Sequence, residues 1–136
     1  MNGTAKITDE MTIQRLRMVA KLRDHYKITD ERVLDVMSQL PRHLFVSEAI
    51  KSQAYKDNAL PISSGQTISQ PFIVARMTEL LELRGQEKEL EVGAGSGYQT
   101  AVLASLARKV FAIERLPNLV YEAEHGLRAL GFRIFH

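Results

Sequence analysis

Cysteine is absent from this sequence. That excludes a disulfide framework, a thiolate nucleophile, cysteine-ligated zinc and iron–sulfur clusters, and it suits a reducing compartment. Histidine is sparse. His25, His43, His125 and His136 are never at metal-ligand spacing, so no metal site is expected. Neither sign of charge dominates: 18 Lys and Arg face 16 Asp and Glu, a net charge of +2. Without a dense basic run, the pI near 9.0 is no nucleic-acid footprint. No apolar run reaches the roughly 18 residues of a membrane span. Residues 1–10 lack the apolar stretch of a secretory signal. These absences point to a soluble, cytoplasmic protein that binds neither nucleic acid nor membrane.

What is present is ordinary for a globular chain. The 136 residues are 45% hydrophobic and 25% charged, one domain's worth. Folding a chain of this size hides about 68% of the surface exposed when unfolded, enough for a real core.

Periodicity predicts a helix over Met11–Tyr26 with Leu16, Val19, Ala20 and Leu22 near one face. A second follows, capped by Thr29, with Asp30 and Glu31 in its first turn and Val33, Leu34, Val36, Met37 and Leu40 as its stripe. Pro41 stops it. Tyr55–Gln70 is polar and turn-rich, the character of a functional loop. Pro71 then opens a helix capped by Ser69 or Gln70, with Ile73, Val74, Met77, Leu80 and Leu81 as its buried face and Gly85 as its stop. Beyond Gly85 the pattern reads strand (Leu90, Val92), glycine turn, helix (Tyr98–Ala107), buried strand (Val110–Ile113), helix (Pro117 to Gly131) and a third strand over Phe132–Phe135. This alternation predicts an α/β fold with a parallel sheet and right-handed crossovers.

Chemistry concentrates in Glu91-Val92-Gly93-Ala94-Gly95-Ser96-Gly97. A glycine turn after a strand bends sharply and lets a ligand approach without meeting a Cβ atom. Alone it is equally a bare strand-to-helix turn. Glu114, about 20 residues beyond Gly93 and at the end of the next strand, adds a carboxylate able to accept both ribose hydroxyls of a nucleoside. A dinucleotide site spaces its glycines G-x-G-x-x-G to receive a pyrophosphate. Here Tyr98 stands where the third glycine would, and Glu91 places an acid at the mouth. A carboxylate there repels phosphate and suits a cation. S-adenosylmethionine, a sulfonium and ammonium ligand without phosphate, fits better than a nicotinamide dinucleotide.

At this point the residues resemble a known family. Tyr55-Lys56-Asp57-Asn58-Ala59-Leu60-Pro61-Ile62 and Gly65-Gln66-Thr67-Ile68-Ser69-Gln70-Pro71 are similar to the signature loop of protein-L-isoaspartate O-methyltransferases. Leu90 to Ala101 looks like their cofactor motif, and Pro41-Arg42-His43-Leu44-Phe45-Val46 like their N-terminal helical segment. The likeness spans Val19 to Gly131. It implies an N-terminal helical segment, 1–85, carrying an acceptor loop at 55–71, and the first half of a Rossmann-like domain, 86–136, in one compact unit. It also implies methyl transfer from S-adenosylmethionine to the free carboxylate of isoaspartyl residues in damaged proteins. Ser69 would hold the acceptor carboxylate, with Thr67 and Gln66 shaping its pocket; Ser69 as a helix cap remains compatible. Gly93, Ala94, Gly95 and Gly97 would line the methionine portion of the cofactor, Glu114 the ribose, and Glu91 the ammonium. Tyr98 would pack either on the cofactor or within the helix layer.

Two residues depart from the family pattern: Ser63 replaces a common glycine, and Glu89 replaces an aliphatic strand residue. The resemblance also implies further strands of a seven-stranded sheet, with an acidic residue after the third strand that binds the adenine and segments that wall the substrate pocket. The competing readings are a nicotinamide-dependent oxidoreductase fragment and a non-catalytic module that self-associates through an exposed sheet edge.

Overall fold

The structure is a computed structural model and describes residues 9–133. Helices α1 (Thr12–Asp24) and α2 (Glu31–Gln39) come first, followed by short 3₁₀ turns at Arg42–Phe45 and Glu48–Gln53. Strands β1 (Leu60–Pro61) and β2 (Thr67–Ile68) close a small antiparallel hairpin within what the sequence reads as loop. Helix α3 (Pro71–Leu81) leads to β3 (Lys88–Val92), α4 (Tyr98–Leu106), β4 (Lys109–Ile113) and α5 (Pro117–Ala129). β3 and β4 pair in parallel, Leu90 beside Phe111 and Val92 beside Ile113, with α4 as the crossover.

The core joins both halves of the chain. Met18, Val19 and Leu22 of α1, Val33, Leu34 and Met37 of α2, Val74 and Ala75 of α3, and Tyr98, Ala101 and Val102 of α4 are buried together. Two helices turn differently from their sequence reading. In α1 the expected Leu16 and Ala20 face solvent, and Arg15 points inward. Its guanidinium is satisfied by the Ser38 carbonyl at 2.8 Å, Asp9 at 3.0 Å and the Tyr55 hydroxyl at 3.2 Å. In α3 the buried face is Pro71, Val74, Ala75 and Thr78, whereas Ile73, Met77, Leu80 and Leu81 are exposed. Small residues on the inward side allow close packing, and apolar count alone mistook the large outward ones for the core.

Helix ends also shift. Asp30, not Thr29, caps α2, accepting the amides of Arg32 and Val33. Gln70 precedes α3 without a side-chain cap, so the Ser69 hydroxyl is not spent on capping. α3 ends at Glu82 in left-handed backbone, and Gly85 lies in the connection to β3. The strand expected at Val110–Ile113 forms but is largely exposed. Phe132 and Arg133 are not in a strand, and the rest of the expected third strand lies outside the described residues. Among the described residues no helix is long and apolar enough to cross a membrane.

Candidate functional site

A cleft of about 440 Å³ runs along β3 between α3, the β1–β2 hairpin and the glycine turn. Thr67 and Ser69 line one side; Glu91, Gly93, Ala94 and Gly95 line the other. The serine-bearing segment and the glycine turn therefore share one cavity, although more than twenty residues separate them in sequence. Gln66 stands outside the lining. Its carbonyl accepts the Ile62 amide at 2.9 Å, so it closes the hairpin that presents Thr67 and Ser69.

The glycine turn is fixed by backbone chemistry. The amides of Gly93 and Ala94 both donate to the Ile113 carbonyl, at 2.8 and 3.1 Å, tying the turn to the end of β4. Gly93 and Gly95 adopt φ of +83° and +56°, where a side chain is strained. A Cβ on Gly93 would meet nothing within 4 Å, and one on Gly95 only the Ile62 side chain at 3.7 Å and a carbonyl at 4.0 Å. A side chain at Gly93 would stand in open space and one at Gly95 in ordinary contact with Ile62; both backbones line the cleft, where a ligand can approach closely. Gly97 serves packing instead: its Cβ would stand 3.1 Å from the Cβ and 3.2 Å from the Cα of Ala123 on α5.

Glu114 acts on the turn itself. One carboxylate oxygen accepts the Gly95 amide at 2.9 Å and the other the Leu116 amide at 3.0 Å. The Leu116 and Gly95 bonds hold its pKa below the ordinary carboxyl range. Glu91 is the opposite case. It is half-buried on β3, and burial pushes its pKa up to about 7, against the opposing hydrogen bond from the Thr100 hydroxyl and with the help of nearby Glu114. Glu89 is also only half-buried and lines the cleft, which spares it the cost of full burial.

The Tyr98 ring is fully buried, edge-on to Phe45 at 5.7 Å and beneath the Arg42 guanidinium at 4.9 Å. Tyr98 thus packs within the helix layer and also lines the cleft. Ser63 donates to Glu122 of α5, so the serine at this unusual position pins the hairpin to that helix. Thr78 and Gln99, hydrogen-bonded to each other at 3.0 Å, also line the cleft. Sequence reasoning passed over both; a threonine inside an apolar helical stripe was the available signal for the first. Among the described residues no acidic or histidine cluster suits a metal ion.

The cleft fits a compact cationic nucleoside ligand: a glycine turn, the part-buried carboxyls of Glu89 and Glu91 beside it, and no basic side chain among the described lining residues. Comparison with known proteins agrees. The family model for protein-L-isoaspartate(D-aspartate) O-methyltransferase matches residues 13–135. The chain is 61% identical over 106 residues to protein-L-isoaspartate O-methyltransferase 1 of Syntrophobacter fumaroxidans, covering 78% of this chain and 50% of that protein. It is 54% identical over 124 residues to protein-L-isoaspartate O-methyltransferase of Syntrophus aciditrophicus, covering 91% of this chain and 57% of that one. The chain thus spans about half the length of these curated relatives. A solved Plasmodium falciparum chain, a beta-aspartate methyltransferase by name and in complex with S-adenosyl-L-homocysteine, superposes with a TM-score of 0.70 at 25% identity, over 85% of this chain and 55% of that one. A second solved chain, at 24% identity and a TM-score of 0.78, shares the fold over 88% of this chain and 39% of its own length.

Proposed function

The chain belongs to the protein-L-isoaspartate(D-aspartate) O-methyltransferase family, and from that premise we propose that it methylates the free carboxylate of isoaspartyl residues in damaged proteins, with S-adenosylmethionine as donor. The observation that carries this reading is the single cleft bounded by Ser69 on one side and Gly93–Gly95 on the other. Bound there, the cofactor would supply a methyl group carried on its sulfonium sulfur, which leaves as a neutral thioether when the carboxylate oxygen takes the methyl carbon. The chain's residues have little covalent work to do. A carboxylate with an ordinary pKa near 4 is already ionised at neutral pH and needs no general base. Ser69 and Thr67 orient that carboxylate by hydrogen bonding, Glu91 neutralises the donor's ammonium, and Glu114 holds the turn open through Gly95. Catalysis then rests on alignment and on exclusion of water. Incubating the chain with tritiated donor and an isoaspartyl peptide should give a base-labile methyl ester, and none with the aspartyl isomer. No ester, with no heat of donor binding, would overturn the proposal.

One observation favours a second reading. Leu90, Val92, Phe111 and Ile113 form an exposed apolar row on one face of the β3–β4 pair. An uncovered face of this kind drives association, and a self-associating module without turnover would use it. Sedimentation of the active and inactive fractions separates the two: turnover confined to monomer supports the enzyme, and inert oligomer alone supports the module.

Glu91 makes cofactor binding pH-dependent. Only its ionised form attracts an ammonium, and its pKa is raised to about 7. Affinity for S-adenosylmethionine should therefore strengthen at least about tenfold from pH 5 to pH 7. Glu91→Gln should flatten that dependence, and a flat profile in the wild type would refute the role. The sign for stability is reversed. A carboxyl with a raised folded-state pKa binds its proton more tightly when folded. Its contribution is complete below the ordinary carboxyl range and is lost as pH rises through 7, with a ceiling of about 3 kcal/mol that partial exposure reduces.

A further inference from the structure

Arg42 is completely buried in the 3₁₀ turn after α2, yet among the described residues it has no carboxylate partner. Its Nε donates to the Ala54 carbonyl at 2.7 Å, and its Nη2 to the Ser69 carbonyl at 2.9 Å. Its guanidinium lies over the Tyr98 ring, 4.9 Å from the centroid, and among the described residues Nη1 and the Tyr98 hydroxyl make no hydrogen bond of normal geometry. A buried cation without a counter-ion is costly, and an apolar residue of the same volume would avoid that cost. Burial accordingly pulls its pKa down from the ordinary arginine range. Stability therefore does not explain the residue.

Its contacts do. Ala54 immediately precedes the acceptor loop, Ser69 lies near that loop's end, and Tyr98 is the first residue of α4 after the glycine turn. Three segments that must meet for the reaction meet on one rigid fork. We propose that Arg42 is a positioning residue that sets the Ser69 hydroxyl against the glycine turn by tying both ends of the acceptor loop to the head of α4. The inference rests on the methyltransferase reading and adds to it a residue that touches neither substrate nor cofactor. Arginine suits the task because its planar fork bonds in two fixed directions while its face stacks on an aromatic ring; lysine offers one mobile point charge.

The test uses the full chain as wild type, R42K and R42M, with the Ser69 carbonyl labelled with carbon-13. R42K keeps the charge and carries the test should R42M not fold. Per folded molecule, kcat for an isoaspartyl peptide should fall about 10- to 100-fold in R42K, the range expected of an ångström-scale misplacement. Peptide KM and S-adenosyl-L-homocysteine affinity should stay within about threefold, because the binding groups themselves remain. The Ser69 carbonyl resonance should shift in both variants as its charge-assisted bond is lost. Wild-type kcat in folded R42K would overturn the proposal, as would an unmoved Ser69 resonance. A wild type that transfers no methyl group defeats the functional reading; the Ser69 resonance then decides the positioning claim by itself.

Discussion

Replacing Ser69 with alanine is expected to slow methyl transfer to an isoaspartyl peptide by about 10- to 100-fold, the equivalent of one lost hydrogen bond to a charged group. The residue is exposed in the cleft and its hydroxyl is free of helix capping. Its backbone is held independently, through the carbonyl bond from Arg42. Alanine therefore removes a single donor without moving the loop. Stability should change by no more than about 0.5 kcal/mol, as for a surface substitution away from special features. Donor affinity, set by the glycine turn and Glu91, should be unaffected. The decisive measurement is steady-state kinetics beside calorimetry of donor binding. If donor affinity falls in step with turnover, Ser69 belongs to the cofactor's half of the site; if neither changes, it does not touch the acceptor.

The largest expected effect on stability is at Gly97. Its φ of +90° disfavours any side chain, and an added Cβ would press on the backbone of Ala123, at 3.2 Å from Cα and 3.4 Å from the carbonyl oxygen. Backbone cannot swing aside as a side-chain tip can. Gly97→Val should destabilise the fold by about 3 kcal/mol, combining left-handed strain with overpacking. Gly131→Val is the matched control: its φ is +84°, but its Cβ would meet nothing within 4 Å among the described residues. It should suffer the strain component alone, about 1–2 kcal/mol. Urea unfolding of the two variants measures the difference. Equal midpoints would mean that the α4–α5 contact is looser than the structure shows and that Gly97 is a conformational glycine only.

That contrast also marks how far the sequence could be read. Gly93, Gly95 and Gly97 look alike in the one-letter string, and all three fit a ligand cradle. Only with α5 in place does Gly97 separate from the others as a packing glycine. The same holds for carboxylates. Glu91 and Glu114 both stand out in the sequence as candidate cofactor ligands from their positions relative to the turn. Burial raises one and two backbone amides lower the other, and neither environment is written locally. In α1 and α3, periodicity located the helices but misassigned their faces. Arg15 found enough acceptors to be buried, and small Ala75 and Thr78 allow a close approach that large apolar residues do not.

Arg42 lies at the limit of such reading. Nothing beside it in the chain announces a buried cation, because its partners at Ala54, Ser69 and Tyr98 are 12, 27 and 56 positions away. Local sequence determined helices α1 to α5, the parallel strands β3 and β4, the glycine turn and the family to which the chain belongs, since propensity, capping and short motifs act within a few residues. Tertiary structure alone decided which faces are buried, which glycine meets a helix, which carboxyl has its pKa raised toward neutrality, and what bonds the serine's carbonyl. Those outcomes depend on desolvation and contact between segments distant in the chain, which exist only after it has folded.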